Sequence, residues 1–239
     1  MSADQGAAGP YSRRLRQLHL AIATLIMSLA FTGLVFYFRK SLGLGDAKIT
    51  LMTIHSFIGY ALVAAIAWRL WLGFRGREPD RFSHALTGPQ NFQKLFAGAQ
   101  GRRHRFRFAG RSPLSRLIAT VLYAAVFFNI GTGLIRAGTD LYFPPFGPFV
   151  LHYITAPGET PSVAAVKAGK VDKVRAEQIK EFKLPVGKVH LYGGLFILFL
   201  ATVHASGALV TEWSAPADKA ARGRARLMLF GPGKTRRPL

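Results

Sequence analysis

Four of the seven histidines in this chain stand in apolar surroundings, and their spacing narrows the chemistry open to them. His190 and His204 are fourteen residues apart in one uncharged run. On a helix of 3.6 residues per turn that is just under four turns, about 21 Å, so both rings leave one face near opposite edges of a hydrocarbon core about 30 Å thick. His19 and His55 each stand near the start of another apolar run. An ionisable side chain inside a membrane span is costly and usually functional. A single ring there could serve one hydrogen bond between helices, but four at matched depths ask for a shared ligand.

If the runs cross a bilayer alternately, His55 and His190 fall at one outer depth and His19 and His204 at one inner depth. Each pair then joins two different helices, as a haem held between helices requires. Two axial imidazoles leave no position for oxygen or substrate, so a haem bound in this way carries electrons. The porphyrin also needs room beside the backbone. Gly59 and Gly194, one turn after His55 and His190, are read as that clearance, with Gly193 and Gly207 nearby. Gly33, Gly131 and Gly133 suit either clearance or close helix packing. Arg69, inside the second run, is a candidate partner for an inner haem propionate, and snorkelling to lipid phosphate fits it equally well. Arg136 and Lys188 are weaker candidates on the outer side. His84, His104 and His152 lie in loops without a depth partner, and His152 beside Tyr153 is a candidate for quinone or partner contact.

The elements that must carry these residues follow from hydropathy. Uncharged or nearly uncharged runs cover about residues 18–38, 52–74, 117–135 and 189–210. Each is long enough to span a bilayer as a helix. The expected fold is all-α, an integral membrane four-helix bundle over residues 18–212. A tail at 1–17 precedes it and a basic tail at 213–239 follows. Phe36-Tyr37-Phe38-Arg39-Lys40 offers no small-residue cleavage site, so the first run reads as a retained anchor. The net charge of +21 has a topological explanation: 20 of the 32 Lys and Arg fall on the side that holds both termini. The positive-inside rule makes that side cytoplasmic and the membrane the bacterial inner membrane. Basic loops beside anionic lipid account for the charge without nucleic acid. The chain has no cysteine, which excludes disulfides, thiolate-ligated clusters and thioether-linked haem.

Two loops are substantial. The cytoplasmic loop at 75–113 alternates basic and aromatic residues in Arg102–Phe108, which suits either a surface-bound or a solvated segment. The larger external loop, residues 136–188 between the third and fourth spans, opens with the irregular aromatic-proline segment Tyr142–Phe149. Its second half, Ser162–Phe182, reads as an amphipathic helix that docks a partner or covers the outer haem.

These features resemble the bacterial di-haem cytochrome b family, which includes cytochrome b-561 and the b-type membrane subunits of nickel–iron hydrogenases and formate dehydrogenases. The resemblance runs from about Arg14 to Trp213. It is carried by Leu18-His19, by Ile54-His55-Ser56-Phe57-Ile58-Gly59, by Arg69-Leu70-Trp71, by Gly110-Arg111-Ser112-Pro113-Leu114-Ser115, by Thr132-Gly133 and above all by the His190–His204 interval. Leu20 stands where an aromatic is usual and Ser112 where Asn is common, and neither change removes a ligand. The resemblance implies two b-type haems, an outer one on His55/His190 and an inner one on His19/His204. It also implies electron transfer between the quinone pool and a partner, here a periplasmic dehydrogenase or c-type cytochrome docking on residues 137–187. A stand-alone quinol oxidase that passes electrons to a small acceptor such as superoxide is the alternative reading. A metal-ion or proton transporter is a minor one, because the spans lack the Asp and Glu that bind cations.

Overall fold

The computed structural model describes residues 12–76, 80–82, 86, 113–214 and 228–229. Four long helices dominate them: α1 (Arg13–Phe38), α2 (Lys48–Arg75), α3 (Pro113–Asp140) and α6 (Lys173–Ser214). Two short helices, α4 (Gly147–Ile154) and α5 (Val163–Lys167), lie between α3 and α6. Among the described residues there is no strand, only an isolated bridge between Thr155 and Val171. Most of the loop at 75–113, including His84 and His104, and most of the tail at 213–239 lie outside the described residues.

Local chemistry sets the helix starts. Ser12 Oγ accepts the Leu15 N–H at 3.0 Å, a cap for α1. Pro113 opens α3, where a missing N–H costs nothing. Asp172 Oδ1 accepts the N–H groups of Val174 and Arg175 at the head of α6. All four long helices are long and apolar enough to cross a membrane. Their exposed faces are apolar too, with Phe31 68% and Phe128 61% exposed. A helix apolar on every side belongs in lipid.

The external segment departs from expectation at one point. Ser162–Phe182 is not one amphipathic helix. Ser162 caps α5, accepting the Ala165 N–H at 3.1 Å, but α5 stops at Lys167. Gly169 then takes the left-handed conformation at φ +74°, which a glycine reaches without strain. The chain restarts as α6 at Lys173 and runs unbroken through Pro185 into the fourth span. Tyr142–Phe149 is irregular only at first, because α4 already begins at Gly147. That turn folds back against the end of α3: the Phe143 N–H reaches the Ala137 carbonyl at 3.1 Å. A side chain at Gly138 would run into Phe146. Phe143 also packs on Phe57 of α2, and the Tyr60 hydroxyl donates to the Pro144 carbonyl.

The chain divides into two compact units. One comprises Leu25–Val63 and Ala124–Leu198, with Val126, Ala137, Val150, Ile154, Ala165 and Ile197 among its buried apolar residues. The other comprises Met1–Thr24, Ala64–Tyr123 and Phe199–Leu239, with Leu15, Ile66, Leu72 and Leu200 buried. Each unit holds one of the two histidine pairs.

Candidate haem-binding sites

Within the first unit, His55 of α2 faces His190 of α6. Their ring centres are 6.1 Å apart and the planes stand at 86°. Both rings are half-buried. Each is approached by a threonine from a helix that carries no histidine of this pair. Thr32 Oγ1 on α1 lies 2.9 Å from His55 Nδ1, and Thr132 Oγ1 on α3 lies 3.0 Å from His190 Nδ1. Both threonines are followed by glycine. A Cβ on Gly33 would meet His55 Cε1 at 3.6 Å, and one on Gly133 would meet His190 Cε1 at 3.0 Å. The missing side chain at Gly133 therefore lets His190 seat against α3, whereas at Gly33 a Cβ would make only an ordinary contact.

Within the second unit, His19 of α1 faces His204 of α6 with ring centres 6.4 Å apart and planes tilted by 47°. The structure thus brings the four histidines together as His55 with His190 and His19 with His204. A family model described as prokaryotic cytochrome b561 matches residues 10–220 of the chain.

The chain belongs to the prokaryotic cytochrome b561 family.

Membership in the cytochrome b561 family makes it a multi-pass bacterial membrane cytochrome that binds b-type haem and takes part in electron transfer. The chain has no significant match among curated proteins or among solved structures.

The remaining expected site residues of this cytochrome b561 take varied surroundings. Gly59 stands one turn beyond His55, and a Cβ there would meet no atom within 4 Å. Gly194, one turn beyond His190, would bring a Cβ to 3.8 Å from Asn129 Nδ2. Its neighbour Gly193 could carry no side chain without striking Asn129 Oδ1. Arg69 is only 4% exposed. Its Nε donates to the Tyr123 hydroxyl at 3.1 Å and its Nη1 to the Asp80 carbonyl at 3.1 Å. Its guanidinium lies 4.4 Å above the centre of the Phe82 ring. Two of its five donors are therefore committed to protein groups of the same unit. Arg136, near the end of α3, pairs with Asp140 at 2.5 Å and donates to the Lys183 carbonyl at 3.1 Å. Lys183 completes the cluster by pairing with Asp140 at 3.0 Å. His152 is exposed on α4.

Sequence reasoning missed Thr32 and did not give Thr132 a role. The signal was present as a repeated tripeptide: Thr32-Gly33-Leu34 on α1 and Thr132-Gly133-Leu134 on α3. A threonine in an apolar run reads as packing until a ring is seen opposite it.

Proposed function

We propose that this cytochrome binds two b-type haems, one between His55 and His190 and one between His19 and His204, and relays electrons between membrane quinone and a partner redox protein. The observation that carries the reading is the spacing of the two ring pairs. A histidine nitrogen bonds a first-row metal at about 2.0–2.1 Å and sits about 1.15 Å from its ring centre, so two rings that shared one iron would have centres roughly 6.3–6.5 Å apart. The separations of 6.1 and 6.4 Å fit that requirement. The open space beside Gly59 would leave room for a haem next to His55. When bound, such a haem supplies one-electron transfer at a potential set by its ligands and surroundings.

The chain's own residues do the rest. His55 with His190 and His19 with His204 would each hold one haem, and a haem held by two imidazoles would carry electrons without binding dioxygen or substrate. Apolar helix faces exclude water from the route between membrane surfaces. Arg69 and the Arg136–Asp140–Lys183 cluster supply positive charge suited to haem propionates, Arg69 through the donors it has not committed. With the positive-inside orientation, both termini are cytoplasmic in the inner membrane and His55/His190 lies toward the periplasm. The partner's docking surface is residues 137–187, whose exposed Val174 and Phe182 on α6 stand outside the apolar span.

The test is a reduced-minus-oxidised spectrum of the purified chain with haem quantified by pyridine haemochrome. Two b haems per chain, falling to one in His204→Ala, support the reading. One haem in the wild type would remove one of the two pairs, and none after expression with adequate haem would overturn the reading altogether. Co-purification of a second redox protein separates the relay from a stand-alone quinol oxidase, which would be active as the isolated chain.

A further inference from the structure

We propose that Thr32 and Thr132 are positioning residues for the haem at His55/His190: each hydroxyl oxygen accepts the Nδ1–H of its histidine, leaving Nε2 bare for the iron. The proposal rests on the di-haem reading above and adds which ring atom binds, what fixes it, and how the site is tuned.

The argument is an accounting of protons. A hydroxyl has one proton to donate and two lone pairs. Thr32 Oγ1 lies 2.8 Å from the Ser28 carbonyl oxygen and 3.2 Å from that of Leu29. Thr132 Oγ1 lies 3.0 Å from the Asn129 carbonyl oxygen. A carbonyl can only accept, and with it as the hydroxyl's acceptor we assign the proton in both cases to the threonine's own helix. Only lone pairs remain to face the ring. At 2.9 and 3.0 Å the contact is a hydrogen bond only if Nδ1 carries the proton. In a neutral imidazole the other nitrogen is then the unprotonated one, and it is free to ligate.

Geometry reinforces the point. Each ring lies close to the glycine after its threonine, in ordinary contact distance of a Cβ at Gly33 and too close for one to fit freely at Gly133, so the hydroxyl grips one edge of a ring set against the helix. The same Thr-Gly pair does this from α1 for one ligand and from α3 for the other. A ligating histidine whose second nitrogen donates to an acceptor is fixed in tautomer and orientation and becomes a stronger donor to the metal. Stronger donation stabilises ferric over ferrous iron, so the two threonines lower the potential of this haem.

The test uses the full-length, haem-loaded chain in detergent. A redox titration followed optically resolves its components, and the component lost in His190→Ala is assigned to His55/His190. Thr32→Val and Thr132→Val, which keep shape and remove the hydroxyl, are expected to shift that component to higher potential and leave the other unchanged. Retention of that haem against apomyoglobin is expected to weaken by roughly 10–100-fold. Thr32→Ser and Thr132→Ser restore both readouts. Valine variants with wild-type potential and retention, or serine variants that behave as the valines do, overturn the proposal. Should the valine variants fail to fold, the reduced wild type labelled with 15N-histidine decides. Exchange-protected protons on Nδ1 of both ligands support the proposal, and protons on Nε2 defeat it. A wild type that lacks any haem removable by His190→Ala defeats the di-haem reading instead.

Discussion

The two histidine pairs use the same ligand type at nearly the same separation, yet their settings differ. At His55/His190 the rings cross at 86°, and each Nδ1 meets a threonine from a helix outside the pair. At His19/His204 the rings are tilted by 47°, and the unit's distinctive polar element is a buried arginine with three partners. If both pairs bind haem as proposed, what touches the ligands would give two cofactors of one chemical type different potentials.

The largest expected effect is loss of a whole cofactor. His190→Ala and His204→Ala should each halve the haem content, and their difference spectra should remove different components. A single variant that abolished both would erase the distinction between the pairs. Next comes Arg69→Ala. It removes two hydrogen bonds from a buried charged donor, each worth about 1.5–3 kcal/mol, and leaves the Tyr123 hydroxyl and Asp80 carbonyl without them. Thermal unfolding in detergent should drop by about 3 kcal/mol or more, with the His19/His204 component lost first.

Glycine substitutions sharpen the comparison inside one pair. Gly133→Ala places a methyl 3.0 Å from His190 Cε1 and should cost about 1–3 kcal/mol as the ring is displaced. Gly33→Ala meets His55 Cε1 at an ordinary 3.6 Å and should be tolerated, which thermal melts of the two variants would show directly. The ring angles make a spectroscopic prediction as well. Crossed axial planes keep the two π-type iron orbitals close in energy and widen the g anisotropy of a ferric low-spin haem. Frozen-solution EPR should therefore give two low-spin signals, the broader one vanishing in His190→Ala.

The smallest effect concerns Tyr142, whose hydroxyl is pushed above the ordinary phenol value first by burial and then by the charge of Asp140. A tyrosine with a raised folded value is most stabilising below about pH 10 and loses that contribution as pH rises through the folded value. The thermal midpoint of the wild type should fall more steeply on the alkaline side than that of Tyr142→Phe.

Much of this molecule is legible in its sequence because membrane spans write themselves as apolar runs. The pairing of the histidines follows from alternating direction and depth, two quantities that hydropathy and residue number supply. Other features depend on long-range placement. Asp80 and Phe82 come from a loop with no helical period, so nothing local announces that Arg69 will be enclosed by them. The break after Lys167 was hidden because Val163, Val166, Val174 and Phe182 keep an apparent helical rhythm across it. α6 also runs through Pro185, joining an external segment to the fourth span in one helix. Thr32 escaped notice because a hydroxyl in a helix satisfies itself on its own backbone.

The length of α6 has a consequence for what insertions and deletions the chain can accept. One continuous rod, Lys173–Ser214, carries a ligand of each pair. Adding a single residue between His190 and His204 would turn one ligand by about 100° relative to the other, since a helix advances 3.6 residues per turn. Only a local π-type bulge between them would absorb that rotation, so the fourteen-residue interval is tightly constrained. The stretch from Ala156 to Lys170 is under no such constraint. Length change should therefore accumulate there, in the turn around Gly158 and Gly169, and stop where the rod begins.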